Sequence, residues 1–349
     1  MEFLAEYGLF LAKAVTTVVA ILIVVGGIIS IGMRSKKTSA TGHIEISHLN
    51  RELEEMTASL EEMILDKAVI KETRKAHKKK RKQEQKERLK VEKKGEHQKR
   101  LYVLDFEGDI KASAVSSLRE EITAILSVAD ENDEVVLKIN SSGGMVHTYG
   151  LAASQVQRIK QRNIPLTVCV DKVAASGGYM MACVADKLIT APFAILGSIG
   201  VVAQLPNFNR LLKKNDIDYE MLTAGEYKRT LTIFGENTDK GREKFVEELE
   251  DTHDLFKTFV SENRPGLDIE KAATGEIWFG RRAIERKLAD EILTSDDYLM
   301  NACQSAAVYS VKYVQKKSLH DKLSLTASST IDQVLLRWLG RALNFRFYS

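Results

Sequence analysis

Ala174-Ala175-Ser176-Gly177-Gly178-Tyr179 sets one serine between small residues, at the point where the apolar run Ile164 to Val170 gives way to a helical pattern. A serine at such a junction can act as a nucleophile. The two glycines behind it let the backbone turn sharply and let a substrate chain come close. The first N–H groups of the new helix then face a developing oxyanion. The same residues would also make an ordinary small-residue strand-to-helix turn, so the chemistry depends on a base.

Histidine supplies a poor one. His43, His48, His77, His97 and His320 fall in polar flanking segments and His253 in a charged helical run. His147 lies beside a glycine turn, where a surface or capping role is the commoner one. A lysine can take the proton of a serine once burial brings its pKa from about 10.4 down toward neutrality. Lys228, in Ala224-Gly225-Glu226-Tyr227-Lys228-Arg229, is the candidate base. Lys172 is its rival, but four residues before Ser176 it is expected to face away along the strand end.

Taken in order, four segments resemble the signal peptide peptidase A family of serine-lysine proteases. They are Ile139-Asn140-Ser141-Ser142-Gly143-Gly144, the Ser176 hexapeptide, Leu196-Gly197-Ser198-Ile199-Gly200-Val201 and Gly225-Glu226-Tyr227-Lys228. Trp278-Phe279-Gly280-Arg281-Arg282-Ala283, followed by Leu288-Ala289-Asp290-Glu291-Ile292, is similar to that family's closing motif. The resemblance implies a dyad. Ser176 attacks a peptide carbonyl, and Lys228, neutral in a desolvated pocket, takes its proton and later returns one to the leaving amine. The oxyanion falls to the N–H of Gly177 and to the Gly143-Gly144 turn. Ser198 is the auxiliary that hydrogen-bonds Lys228, its plainer role being a buried turn hydroxyl. Ser142 stands where the family commonly has proline, which leaves that turn less rigid. No cofactor and no metal are expected.

These residues need elements to hold them. Leu101 to Phe106 and Glu134 to Ile139 read as strands, Ser116 to Val128 and Met145 to Arg162 as helices, and Ile164 to Val170 as a third strand. The alternation predicts an α/β domain, with helices outside a sheet and the site at the carboxyl ends of its strands. The resemblance sharpens this to the ClpP/crotonase-like ββα spiral. It also implies a homo-oligomeric ring, with Ser176 and Lys228 meeting within one subunit or across a boundary. Gly241 to Glu262 reads as a long helix with Phe245, Leu249, His253, Phe256 and Val260 on one face, core or subunit-contact positions rather than ligands.

The 349 residues, 44% of them hydrophobic, suffice for one sizeable domain with appendages. We divide them into an N-terminal transmembrane anchor (1–37), a charged helical extension (38–100), the serine-lysine peptidase domain (101–300) and a C-terminal strand and amphipathic helix (301–349). Ala14 to Met33 is twenty residues without a charge, about 30 Å as a helix, with no small-residue cleavage site before Arg34. Positive residues after this span favour a cytoplasmic C-terminal side. The family resemblance implies the periplasmic side of a bacterial inner membrane, where relatives degrade released signal peptides. Leu188 to Asn209 is also uncharged, but Pro192, Gly197, Gly200 and Pro206 break it, and the motifs place it among buried strands rather than in a bilayer.

Leu49, Leu53, Met56, Leu60 and Met63 form a short heptad seam, for a coiled coil or a neighbour. Between Lys71 and Arg100 there are fifteen Lys or Arg against five Glu. Without interleaved aromatics, and close to a membrane span, this run reads as a solvated helix near lipid headgroups rather than a nucleic-acid site. Cys169, Cys183 and Cys303 are expected to be small hydrophobes, not a disulfide framework or metal site. Ala306 to Val314 reads as a strand, and Ile331 to Phe345 as an amphipathic helix. The function these readings support is a membrane-anchored endopeptidase acting on peptides or unfolded chains. A non-proteolytic crotonase-fold membrane scaffold is the alternative.

Overall fold

A computed structural model describes residues 42–66 and 98–315, together with 13, 16, 17, 69, 70, 75 and 79. The chain divides into two units, Ile44–Tyr313 and the two ends Met1–His43 with Val314–Ser349. Of the second unit, Lys13, Thr16 and Thr17 are helical, and both threonine hydroxyls donate to the Lys13 carbonyl. Nearly all of the expected anchor, most of the basic run and the helix expected at Ile331 to Phe345 lie outside the described residues. Among those that are described, no helix is long and apolar enough to cross a membrane.

The sheet is built from alternation along the chain. β1 (His43–His48) leads into α1 (Leu49–Ile64); β2 (Arg100–Gly108), α2 (Val115–Leu126), β3 (Glu134–Ser141), α3 (Val146–Lys160) and β4 (Leu166–Val170) follow. β5 (Val173–Ala175) runs into α4 (Gly177–Ala182), and β6 (Lys187–Thr190) and β7 (Ile195–Gly197) complete this part. After α5 (Asn209–Lys214) come the long α6 (Asp239–Asn263), α7 (Ile269–Ala272), β8 (Ile277–Phe279), α8 (Gly280–Glu285), β9 (Glu291–Ile292), α9 (Ser295–Ala302) and β10 (Ala307–Val314). The main path runs β1-β10-β2-β3-β4-β6-β9, and β5, β7 and β8 branch from the end of β3. The pairs among β2 to β10 are parallel except β7 with β8. The sheet thus takes in strands on both sides of the 101–300 block.

Successive strand side chains point to opposite faces, and here both faces are covered. Tyr102, Leu104 and Phe106 of β2, Val135, Leu137 and Ile139 of β3, and Leu166, Val168 and Val170 of β4 enter the larger core. Ile122 and Ile125 of α2, Val156 and Ile159 of α3 and Met181 of α4 meet them there, with Phe256 and Val260 of α6. The intervening Leu101, Val103, Val136 and Cys169 turn to the other face, where Leu49 of α1 and Leu299 of α9 pack. Cys169 and Cys183 are buried free thiols, both pushed up to about 12 by burial. Only the start of α1 is packed in this way; Met56, Leu60 and Met63 of its apolar seam are exposed.

Leu188 to Asn209 departs from the expectation of buried strands. Leu188, Ile189, Leu196 and Ile199 are buried, but from Val202, which is 80% exposed, the chain leaves the sheet as an exposed arm without regular structure up to α5. The backbone has no strand partner in that stretch, so apolar content alone does not bury it.

Glu134 is buried at the head of β3, beneath α9. Burial alone would raise its carboxyl. The Lys99 ammonium at 2.7 Å, the Tyr298 hydroxyl and the Thr167 hydroxyl at 2.9 Å outweigh that and hold it below the ordinary value. A carboxyl lowered in the folded state stabilises above its unfolded pKa, about 4.3, and loses that contribution as pH falls through the folded value. Glu134→Gln is therefore expected to cost about 2 kcal/mol at neutral pH and progressively less as pH falls. Thermal melts at pH 7, 5 and 3 check this, and an equal loss at all three would refute it.

Candidate active site

β3, β5 and β7 end together. Ser141 lies beside Ala174, and Ala175 beside Gly197, so the residues that follow each strand converge beyond the sheet. Ser176 is the first residue past β5 and caps α4. Its N–H donates to the Gly197 carbonyl at 2.8 Å, and its carbonyl accepts the Met180 N–H at 2.9 Å. Both backbone groups are thereby fixed. Its φ of 51° and ψ of −119° are rare for a residue with a side chain and cost about 1–3 kcal/mol. The hydroxyl makes no capping bond to the helix it begins, and the residue is only partly buried.

Gly143 explains how close the turns come. With φ at 88°, it lies where a Cβ would stand 2.7 Å from the Gly177 nitrogen and 2.8 Å from both the Ala175 carbonyl oxygen and the Ser176 Cβ. The Gly143 N–H itself donates to the Ser141 hydroxyl oxygen at 3.1 Å. Among the described residues, the N–H groups of Gly144 and Gly177 carry no hydrogen bond. Ser198 follows Gly197 as Ser176 follows Ala175. It too has a φ of 51°, and its N–H donates to the Glu276 carbonyl at 2.7 Å. The two serines thus stand at adjacent strand ends with the same positive φ.

Lys228 is placed differently. It is exposed, in a segment between α5 and α6 without regular structure, where its N–H closes a turn onto the Gly225 carbonyl at 3.2 Å. Glu226 is held by Lys240 at 2.6 Å, and the Tyr227 ring faces the ammonium groups of Lys240 and Lys244. Among the described residues, no hydrogen bond joins Lys228 to Ser176 or Ser198. The structure brings Ser176, Gly143, Gly144, Gly177 and Ser198 together and leaves Lys228 on the arm. Lys172 and His147 are exposed, and the His253 ring lies 3.3 Å from the Ile199 carbonyl. Among the described residues no cluster of His, Cys, Asp and Glu could hold a metal ion.

Sequence reasoning missed the layer beneath the site. The Tyr149 and Ser141 hydroxyls are 2.5 Å apart and buried, and the Tyr149 ring lies against Gly177. The signal was present in α3, where Tyr149, Ala152, Ala153 and Val156 repeat at the spacing of a core-facing helix stripe.

A mostly parallel α/β sheet with a strained serine at a strand-to-helix junction is the frame of a hydrolase site, and the chain belongs to peptidase family S49. Two family models match it, "Peptidase family S49 N-terminal" over residues 2–156 and "Peptidase family S49" over 158–309. Membership makes it a peptidase. The "Probable protease SohB" of Haemophilus influenzae is 54% identical over 342 residues, which are 97% of this chain and 96% of that one. The "Putative protease SohB" of Buchnera aphidicola subsp. Baizongia pistaciae is 45% identical over 352 residues, 98% of this chain and 100% of its own. "Protease 4" of Haemophilus influenzae is 27% identical over 236 residues, 63% of this chain and 38% of its own.

Proposed function

We propose that this peptidase is a serine endopeptidase that works through a Ser176/Lys228 dyad, anchored in the bacterial inner membrane by residues 14–33. Its substrates are cleaved signal peptides and unfolded membrane-associated chains. The observation that carries this reading is the backbone at Ser176: a positive φ, both backbone groups fixed, a free hydroxyl and Gly143 pressed against it. A scaffold would have no use for that strain. Ser176 Oγ attacks the carbonyl carbon and its proton passes to the neutral Lys228 amine. The oxyanion is held by the N–H groups of Gly177 and Gly144, with Gly143 framing the turn. Collapse breaks the C–N bond, Lys228 returns the proton to the leaving amine, and water then releases the acyl group by the same steps in reverse.

A lysine acts as a base only when it is desolvated. Lys228 is exposed in the single chain, and so are apolar residues of the same arm, including Val202, Leu211 and Leu222. A second copy covering the arm would bury both, as in a ring of ClpP/crotonase-like spirals, and would seat Lys228 beside a neighbour's Ser176, where Ser198 orients it. Full-length Ser176→Ala and Lys228→Ala chains, each inactive on a detergent-solubilised fluorogenic peptide, should recover about a quarter of wild-type turnover when co-assembled. Recovery of none, with wild-type assemblies active, overturns the shared dyad. Full turnover by either single variant overturns the dyad altogether.

A further inference from the structure

Beneath the glycine turn the hydroxyl protons can be assigned. The Tyr149 hydroxyl donates to the Asp109 carbonyl at 2.8 Å, and it has one proton to give. Its 2.5 Å contact with Ser141 must therefore be a bond that Ser141 donates, which leaves the Ser141 oxygen to accept the Gly143 N–H at 3.1 Å. The chain runs one way, from the Gly143 N–H to the Ser141 hydroxyl, to the Tyr149 hydroxyl, to the Asp109 carbonyl. It ties the turn after β3 to the turn after β2. A second tie runs beside it, from the Met145 N–H to the Ile110 carbonyl at 2.9 Å. Asp109 is itself pinned, its carboxylate accepting the Ser113 N–H and hydroxyl, both at 2.7 Å. Tyr149 also reaches the other half of the site, because its fully buried ring fills the space that a side chain on Gly177 would need.

We propose that Tyr149 is the positioning residue of the oxyanion site: through Ser141 its hydroxyl takes up the Gly143 N–H, so that the Gly144 N–H is presented to the substrate beside that of Gly177. The inference rests on the Ser176 peptidase reading and adds a residue to it. One amide in a two-glycine turn is consumed internally, and the peptide plane that follows is fixed by its neighbour. Donors set in place before the reaction need no reorganisation as charge develops. Buried chains of this kind work only when every member is satisfied.

Tyr149→Phe keeps the ring against Gly177 and removes the hydroxyl; Ser141→Ala removes the acceptor of the Gly143 N–H and keeps the ring. Both full-length variants are expected to lose about tenfold in kcat with KM within twofold of wild type, because the lost interaction acts on the transition state. Binding of a peptide boronate, whose tetrahedral adduct places a negative oxygen in the site, should weaken by the same factor. Binding of the unreactive product peptide should not change. Damage that is merely structural would lower the fraction of active sites and weaken both ligands together, and that result overturns the inference. So does a kcat within twofold of wild type in both variants while Ser176→Ala is inactive. If Tyr149→Phe does not fold, Ser141→Ala decides by the same criteria. Equal turnover by wild type and Ser176→Ala overturns the peptidase reading itself, and the inference with it.

Discussion

Ser176→Ala is expected to reduce peptide hydrolysis by at least about a thousandfold while leaving the fold in place, because the nucleophile of such a unit cannot be replaced by its neighbours. The structure separates the two effects. The Ser176 hydroxyl caps nothing, the residue is partly exposed, and its backbone is fixed by the Gly197 carbonyl and the Met180 N–H rather than by the side chain. Alanine meets the same strain at a φ of 51° as serine does, so the change in stability should stay within about 0.5 kcal/mol. Turnover of a fluorogenic peptide in detergent and the thermal midpoint, measured on one preparation, give both numbers. Wild-type turnover by the variant would remove Ser176 from the chemistry.

The second large effect is expected at Gly143. An alanine there must accept a φ of 88°, and its methyl group would press at 2.7–2.8 Å on the Gly177 nitrogen, the Ala175 carbonyl oxygen and the Ser176 Cβ. Two of those atoms are backbone and cannot rotate away. Gly143→Ala should therefore displace the nucleophile and the oxyanion donors at once, lowering kcat by about a hundredfold or more, as loss of such a donor does. It should also destabilise by about 2 kcal/mol, from the left-handed backbone and the crowding. Gly150→Ala is the matched control, since a Cβ in that helix meets nothing within 4 Å, and it should be neutral or slightly stabilising. A Gly143→Ala enzyme with wild-type kcat would show that the turn is not part of the site.

The early strands and helices were legible because their signals are local. Glu134 to Ile139 and Met145 to Arg162 carry a buried strand pattern and a helical stripe, and the observed β3 and α3 match them to within two residues at every boundary. The division of Ile164 to Ala175 was not legible. The strand read at Ile164 to Val170 ends where β4 ends, but the short β5 beyond Asp171 and Lys172 goes unread, and Asp171 is claimed by the Ser295 N–H and hydroxyl at 2.8 and 2.5 Å, 124 residues away. That contact lets β5 leave β4 and line up with β3 and β7, and so aims Ser176. Only the tertiary partner makes the break useful, which is why no window along the chain reveals it. Ser176 and the glycines packed against it could be singled out by type and spacing. The surroundings of Lys228 could not, because the exposure of a lysine is set by tertiary contacts and not by its own segment, and in the structure Lys228 is exposed. Residues 43–48, inside the stretch read as a helical extension, form an edge strand, since the six residues HIEISH alternate polar and apolar.

Asn50 also bears on the order in which the protein can be made. Its amide donates to the carbonyls of Cys303 and Ala306, both at 2.9 Å, and its oxygen accepts the Val308 N–H at 2.8 Å. β10 in turn lies parallel to β2, Ala307 beside Arg100. A ribosome therefore delivers one neighbour of β2 within a few dozen residues and the other only when nearly the whole domain has emerged. Until then β2 has an open, apolar edge able to pair with another nascent chain, and folding of this half of the sheet must be slow and late. The Asn50 clasp acts as the closing latch, one that an unfinished polypeptide lacks.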